Sequence, residues 1–175
     1  MSGSLLVWMA VAIVFFWVVG VYQRVQRLRS EALAALATVE KQLRQYASVV
    51  QTHLGSSLES DVSAQWLALW AALGGLDAAL KDAQREPLSV ASLSRLSAAY
   101  ASVQQAWATL CEAPVDLAGA VVPEAMRQQW DAVSAAVLSV RSGCNQTLAH
   151  YNEAITQFPA RLVVGVMRFK AAGQL

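Results

Sequence analysis

One unbroken apolar run near the start of the chain restricts its fold more than any other feature. Residues 5–22, LLVWMAVAIVFFWVVGVY, carry no charge, and no charged side chain occurs before Arg24. As a helix, these 18 residues reach ~27 Å, close to the ~30 Å hydrocarbon core of a bilayer. Eleven of them are Leu, Ile, Val or Phe. Together they favour insertion by roughly −3 to −7 kcal/mol, with nothing charged to oppose them. The run predicts a transmembrane helix.

Two other readings fit less well. A cleaved secretory signal has a basic n-region and a shorter apolar stretch, whereas MSGS is uncharged. The Ala-x-Ala triplets at Ala32-Leu33-Ala34 and Ala35-Leu36-Ala37 lie far beyond the run, inside a heptad pattern. A buried helix of a soluble core is seldom so uniformly apolar at a terminus. Arg24, Arg27 and Arg29 follow the run and only the amino group precedes it. The positive-inside rule then places the body of the protein in the cytoplasm and a short N-terminal tail outside.

Beyond the run, apolar residues recur at alternating steps of three and four, the signature of helices that bury one stripe. Val25, Leu28, Ala32, Leu36, Val39, Leu43, Tyr46 and Val50 form the first stripe. No Pro or Gly separates it from the apolar run, so one helix is expected to continue to about His53. Gly55-Ser56-Ser57 supplies the stop. The second stripe is Val62, Trp66, Leu69/Trp70, Leu73, Leu76 and Leu80, with Ser60 or Asp61 as N-cap. Gly74-Gly75 predicts a kink or break in its middle. Pro87 ends that helix, and Ser89 can cap the next, whose stripe is Leu93, Leu96, Tyr100, Val103, Trp107 and Leu110.

A linker, CEAPVDLAGAVVP, leads to a fourth helix with Pro123 in its first turn. Its stripe runs Met126, Trp130, Val133, Val137, Val140, Cys144, Leu148, Tyr151, Ile155 and Phe158, and Pro159 ends or kinks it. Short connections between long stripes describe an antiparallel bundle. The expected fold is therefore all-α. A transmembrane helix in residues 1–23 is continuous with a bundle of about four long helices in residues 24–158. A basic amphipathic tail, 159–175, follows; it can form one more helix, pack on its own bundle or lie on an anionic membrane.

Chemistry is sparse. His53 and His150 are the only histidines, and no HExxH or ExxH pattern accompanies them, so no metal site is expected. Cys111 and Cys144 read as structural, and their placement on neighbouring antiparallel helices puts them too far apart for a disulfide. Glu40, Asp77 and Asp131 stand singly and read as parts of a solvated face. Trp66, Trp70, Trp107 and Trp130 fall on stripes and read as core. There is no phosphate loop, nucleophile elbow or nucleophile–base pair, hence no catalytic residue and no cofactor. A net charge of +1 with no basic block argues against nucleic acid.

The stretch YNEAITQFPARLVVGVMRF resembles the C-terminal signature of the LemA family, through Tyr151-Asn152, Phe158-Pro159 and Phe169. The layout is also similar, with Arg27-Leu28-Arg29 just beyond the apolar run. Departures mark a divergent member: Gln23 follows Tyr22, LRQYASVV replaces an Arg-rich stretch, and Cys144-Asn145 stands at an earlier Tyr-Asn position. The resemblance implies a bacterial inner-membrane protein with a helical bundle and no established enzymatic activity. Relatives are tied to magnetosome membrane formation or encoded beside membrane peptidases. The expected function is a non-enzymatic interaction scaffold, with the lipid bilayer and an envelope protein as partners and homo-oligomerisation open. The alternative is a membrane-surface organiser using the tail, where Arg161, Arg168 and Lys170 follow the last acidic residue, Glu153.

Overall fold

In the computed structural model, residues 2–54, 64–113, 122–157 and 171–175 are described. The proposed N-caps Ser60 and Asp61, and Phe158, Pro159, Arg161, Arg168, Phe169 and Lys170, lie outside them. Four helices are present: α1 (Ser2–Leu54), α2 (Ala64–Arg85), α3 (Val90–Cys111) and α4 (Glu124–Thr156).

The helix α1 has 53 residues and no break, which at 1.5 Å per residue is about 80 Å of rod. Its first part is exposed, from Leu5 at 73% through Phe16 at 73%. The heptad stripe takes over at Val25, and Ala32, Leu36, Val39, Leu43, Tyr46 and Val50 are all buried. Among the described residues, this helix is the one long and apolar enough to cross a membrane.

The backbones approach most closely in two pairs, α1 with α4 and α2 with α3. Contacts within and between the pairs fix the directions. Tyr46 meets Ser134 while Arg24, Arg27 and Leu28 line one cleft with His150, Glu153 and Gln157, so α1 and α4 run antiparallel. Asp82 bonds Arg95 across the α2–α3 turn at 2.9 Å. A stack of Trp107 on Trp130 at 4.1 Å and a bond from Arg141 to Ser97 set α3 antiparallel to α4.

The core follows the stripes. Leu69, Leu73, Leu76 and Leu80 of α2, Leu93, Leu96, Val103, Trp107 and Leu110 of α3, and Met126, Trp130, Val137, Cys144, Leu148, Tyr151 and Ile155 of α4 are buried. Three details depart from expectation. The helix α2 continues through Gly74 and Gly75 without the expected break, because its Leu69–Leu73–Leu76–Leu80 face is held by α3 and outweighs the ~2 kcal/mol propensity loss. Trp70 is not core but 39% exposed; adjacent positions point ~100° apart on a helix, and Leu69 takes the inward one. Pro123 stands at the N-cap, one residue before the first turn.

The α2–α3 turn is closed by Ser92, whose hydroxyl donates to the Glu86 carbonyl at 2.8 Å. Ser89 occupies the N-cap position without a side-chain capping bond. Leu88 in this turn has φ 67°, a left-handed conformation that costs about 1–2 kcal/mol for a residue with a Cβ. Its burial helps offset that cost.

Two stability changes follow. A Cβ added at Gly74 or Gly75 meets nothing within 4 Å, so Gly74→Ala with Gly75→Ala should stabilise the fold by about 1–2 kcal/mol in thermal unfolding followed by circular dichroism. Trp130→Ala should cost about 3–5 kcal/mol by the same measurement, whereas Leu138→Ala, at an exposed site on the same helix, should change stability by no more than ~0.5 kcal/mol.

Candidate functional site

Polar groups concentrate in two places: inside the bundle, and where α1 and α4 meet just after the apolar segment. Inside, Tyr46 of α1 projects toward both α3 and α4. Its hydroxyl donates to Ser134 Oγ at 3.0 Å and accepts from Gln104 Nε2 at 2.8 Å. Its ring lies 4.5 Å from that of Trp130 and 6.2 Å from that of Tyr100. Burial pushes the Tyr46 hydroxyl far above its ordinary range, against the lowering effect of the Ser134 bond. A phenol so held is a structural pin, not a proton donor or acceptor near neutrality.

The indole Nε1 of Trp130 has no hydrogen-bond partner among the described residues. The cost, about 1–3 kcal/mol, is borne because the ring fills the space between Tyr46 and Trp107. Glu40, read from sequence as a solvated carboxylate, is instead only 9% exposed and accepts a 2.9 Å bond from Gln84 of α2. It directly follows the buried Val39, so the α1 helix turns it toward α2 rather than toward water. Asp77 meets expectation in an exposed pair with Lys81 at 2.6 Å, and Asp131 is exposed.

At the junction, Arg24, Arg27, Leu28 and Glu31 of α1 face His150, Glu153, Ala154 and Gln157 of α4 across an open cleft of about 480 Å³. Its charges are largely internally matched. Arg27 bonds Glu31 at 2.9 Å, and Gln157 donates to Glu153 at 2.9 Å. Two arginines against two glutamates leave no net positive field to gather an anion. The side chain of His53 lies outside the described residues, so the two histidines form no described pair. Among the described residues no three His, Cys, Asp or Glu side chains come together.

Cys111 and Cys144 are both free. The thiol of Cys144 is pushed up to about 11 by burial, and that of Cys111 is raised by burial against the opposing field of Arg127. Neither is poised as a thiolate nucleophile.

What the sequence reasoning did not find is a polar clasp on α4. Asn145 and Asn152, seven residues apart and therefore on one face, each exchange two hydrogen bonds with the backbone of residues 171–175. Asn152 had been singled out only as half of a Tyr-Asn pair; the usable signal was the second asparagine at a heptad interval. Its Tyr151 neighbour is buried in the core.

No family model, no curated protein and no solved structure matches this chain.

The Cys144 environment gives a pH dependence. The folded chain holds this proton to higher pH than the unfolded chain, whose thiol titrates near 9.0. The associated stability is complete below pH 9 and is lost as pH rises toward 11, at up to ~1.4 kcal/mol per pH unit. Denaturant titrations at pH 8, 9 and 10 should show this slope, and Cys144→Ala should flatten it; an unchanged slope would assign the alkaline loss to other groups.

Proposed function

We propose that this chain is a single-pass, membrane-anchored interaction scaffold of the bacterial envelope, of the LemA type and without enzymatic activity. The observation that carries the reading is the unbroken α1. Its exposed apolar segment and its buried bundle stripe belong to one helix, so lipid immersion and bundle packing are solved by different stretches of the same rod. A helix without a hinge transmits the orientation of its immersed half to its packed half, which suits a protein that holds a surface at fixed height and angle over a bilayer.

The absence of a reactive constellation among the described groups fits this role. The histidine at the junction is exposed, the thiols keep their protons, and the one buried carboxylate is bonded to an amide. The surface available to a neighbour includes exposed apolar side chains on the bundle: Leu67 at 59% and Trp70 on α2, and Leu138 at 59% on α4. Arg24, Arg27 and Arg29 directly after the apolar segment support a cytoplasmic position for the bundle through the positive-inside rule.

Two experiments test the reading. Ile13→Arg combined with Val14→Arg adds about 5–7 kcal/mol to insertion and should move the chain out of the membrane fraction; retention at wild-type levels would remove the anchor. A photo-crosslinking residue at Leu67, Trp70 or Leu138 should capture a specific envelope protein in intact cells, and a chain that remains uncrosslinked from all three positions would defeat the scaffold.

A further inference from the structure

Residues 171–175 contain no helix, yet Ala172, Gly173 and Leu175 are buried. Their polar contacts run through their backbone, while the Ala172 and Leu175 side chains join the buried core. Asn152 donates from Nδ2 to the Ala172 carbonyl at 2.8 Å and accepts the Ala172 N–H on Oδ1 at 2.8 Å. Asn145 does the same for Leu175, at 2.8 and 2.9 Å. Between them, the Gly173 N–H donates to the Leu88 carbonyl at 3.3 Å.

The spacing is matched. Seven residues of α-helix advance about 10.5 Å, and three residues of extended chain advance about 9–10 Å. Two amides at a heptad interval therefore read every third peptide unit of an extended strand, whatever its side chains.

Selectivity comes from the intervening positions. A Cβ at residue 173 would lie 2.9 Å from the Val90 Cα and 3.3 Å from the Leu93 Cβ, so only glycine seats there without moving a helix backbone. Leu175 borders an apolar recess with Val39, Leu43, Leu96 and Val137. Gln174 and Ala171 are exposed and unread. Backbone bonds for affinity with pockets at spaced side chains for selection is the logic of extended-peptide recognition.

We propose that the α4 face bearing Asn145 and Asn152 is a peptide-binding groove. Its ligand is an extended segment of the pattern Ala-Gly-x-Leu, and residues 171–175 of the same chain are its resident, competing occupant. This rests on the scaffold reading for a partner in trans, and gives that partner's chemistry: a segment with the same small–Gly–x–Leu pattern, displacing the internal one.

The test uses the full chain in detergent micelles and a fluorescein-labelled Lys-Ala-Ala-Gly-Gln-Leu peptide. Gly173→Val unseats the internal segment, and this variant should bind the peptide about tenfold or more tightly than wild type, since an occupied groove lowers apparent affinity by its open fraction. Adding Asn145→Ala and Asn152→Ala should abolish the anisotropy change, as should a Gly→Val peptide. A Gly173→Val chain that keeps its helical circular dichroism and takes no peptide overturns the groove, as does equal binding by the asparagine variant. Amide exchange on the wild-type chain covers the case in which Gly173→Val fails to fold. The amides of residues 172–175 should exchange well before those of α4, and exchange only together with α4 would make the segment a fixed part of the fold. Partner capture in membranes alongside failed peptide binding sinks this inference and leaves the scaffold standing.

Discussion

The aromatic junction of Tyr46, Trp107 and Trp130 holds two helix pairs together. Within α1·α4 and within α2·α3 the backbones come close, and small side chains on the buried faces, among them Ala32, Ala79, Ala83 and Ser92, permit it. Between the pairs the gap is wider, and large rings fill it. The Trp107–Trp130 stack, 8° from parallel, spans α3 and α4, while Tyr46 reaches across from α1. Stacked and tilted rings at 4–6 Å gain about 0.5–1.5 kcal/mol per pair beyond their burial. The Trp130 indole N–H, without a hydrogen-bond partner among the described residues, is the cost of placing so large a side chain there.

Polar contacts also join the pairs. Gln104 to Tyr46, Gln84 to Glu40 and Arg141 to Ser97 each link one pair to the other. Aliphatic seams tolerate sliding by a heptad, because one Leu replaces another at little cost. A bonded phenol or a carboxylate facing a single amide does not, since a slip strands a buried polar group. These contacts therefore specify register more than they add stability. Register matters here because α1 extends well past the bundle, and any slip of α4 along it would change how far the bundle stands from the apolar segment.

Much of this was legible from periodicity. The four stripes became four helices, and most stripe residues in the described region are buried, because a heptad repeat has one way to hide its apolar face. The described part of α1 reaches Leu54, while Gly55-Ser56-Ser57, expected to stop it, lie outside the described residues. Failures came where tertiary packing overruled a local rule: Gly74-Gly75 was held helical by its leucine neighbours, and Trp70 lost its inward position to Leu69. Glu40 was misread because a lone carboxylate between two stripe positions reads as solvated until its amide partner, 44 residues away, is brought beside it. The asparagine clasp was only half legible, through the heptad spacing of Asn145 and Asn152, for a related reason. Its second half is backbone, and backbone leaves no trace in residue identity except at Gly173, where the close approach of Val90 excludes a Cβ.

The clasp and the aromatic junction act on the same degree of freedom. Residues 171–175 touch α4 through Asn145 and Asn152, the α2–α3 turn through Leu88, and α3 through Val90 and Leu93. They are a further bridge between the pairs, set where α3 begins, while Trp107 and Tyr46 bridge nearer the other end. Removing the segment uncovers the recess at Val39, Leu43, Leu96 and Val137, and leaves the pairs joined by the ring cluster and the polar contacts of Glu40 and Arg141. A ligand that replaces it must cover the same apolar surface and supply the same five backbone bonds, so its affinity depends on the spacing of the pairs. By linkage, whatever fixes that spacing also sets the affinity. The unbroken α1, long and apolar enough at one end to cross a membrane and packed along α4 at the other, is the element placed to do so.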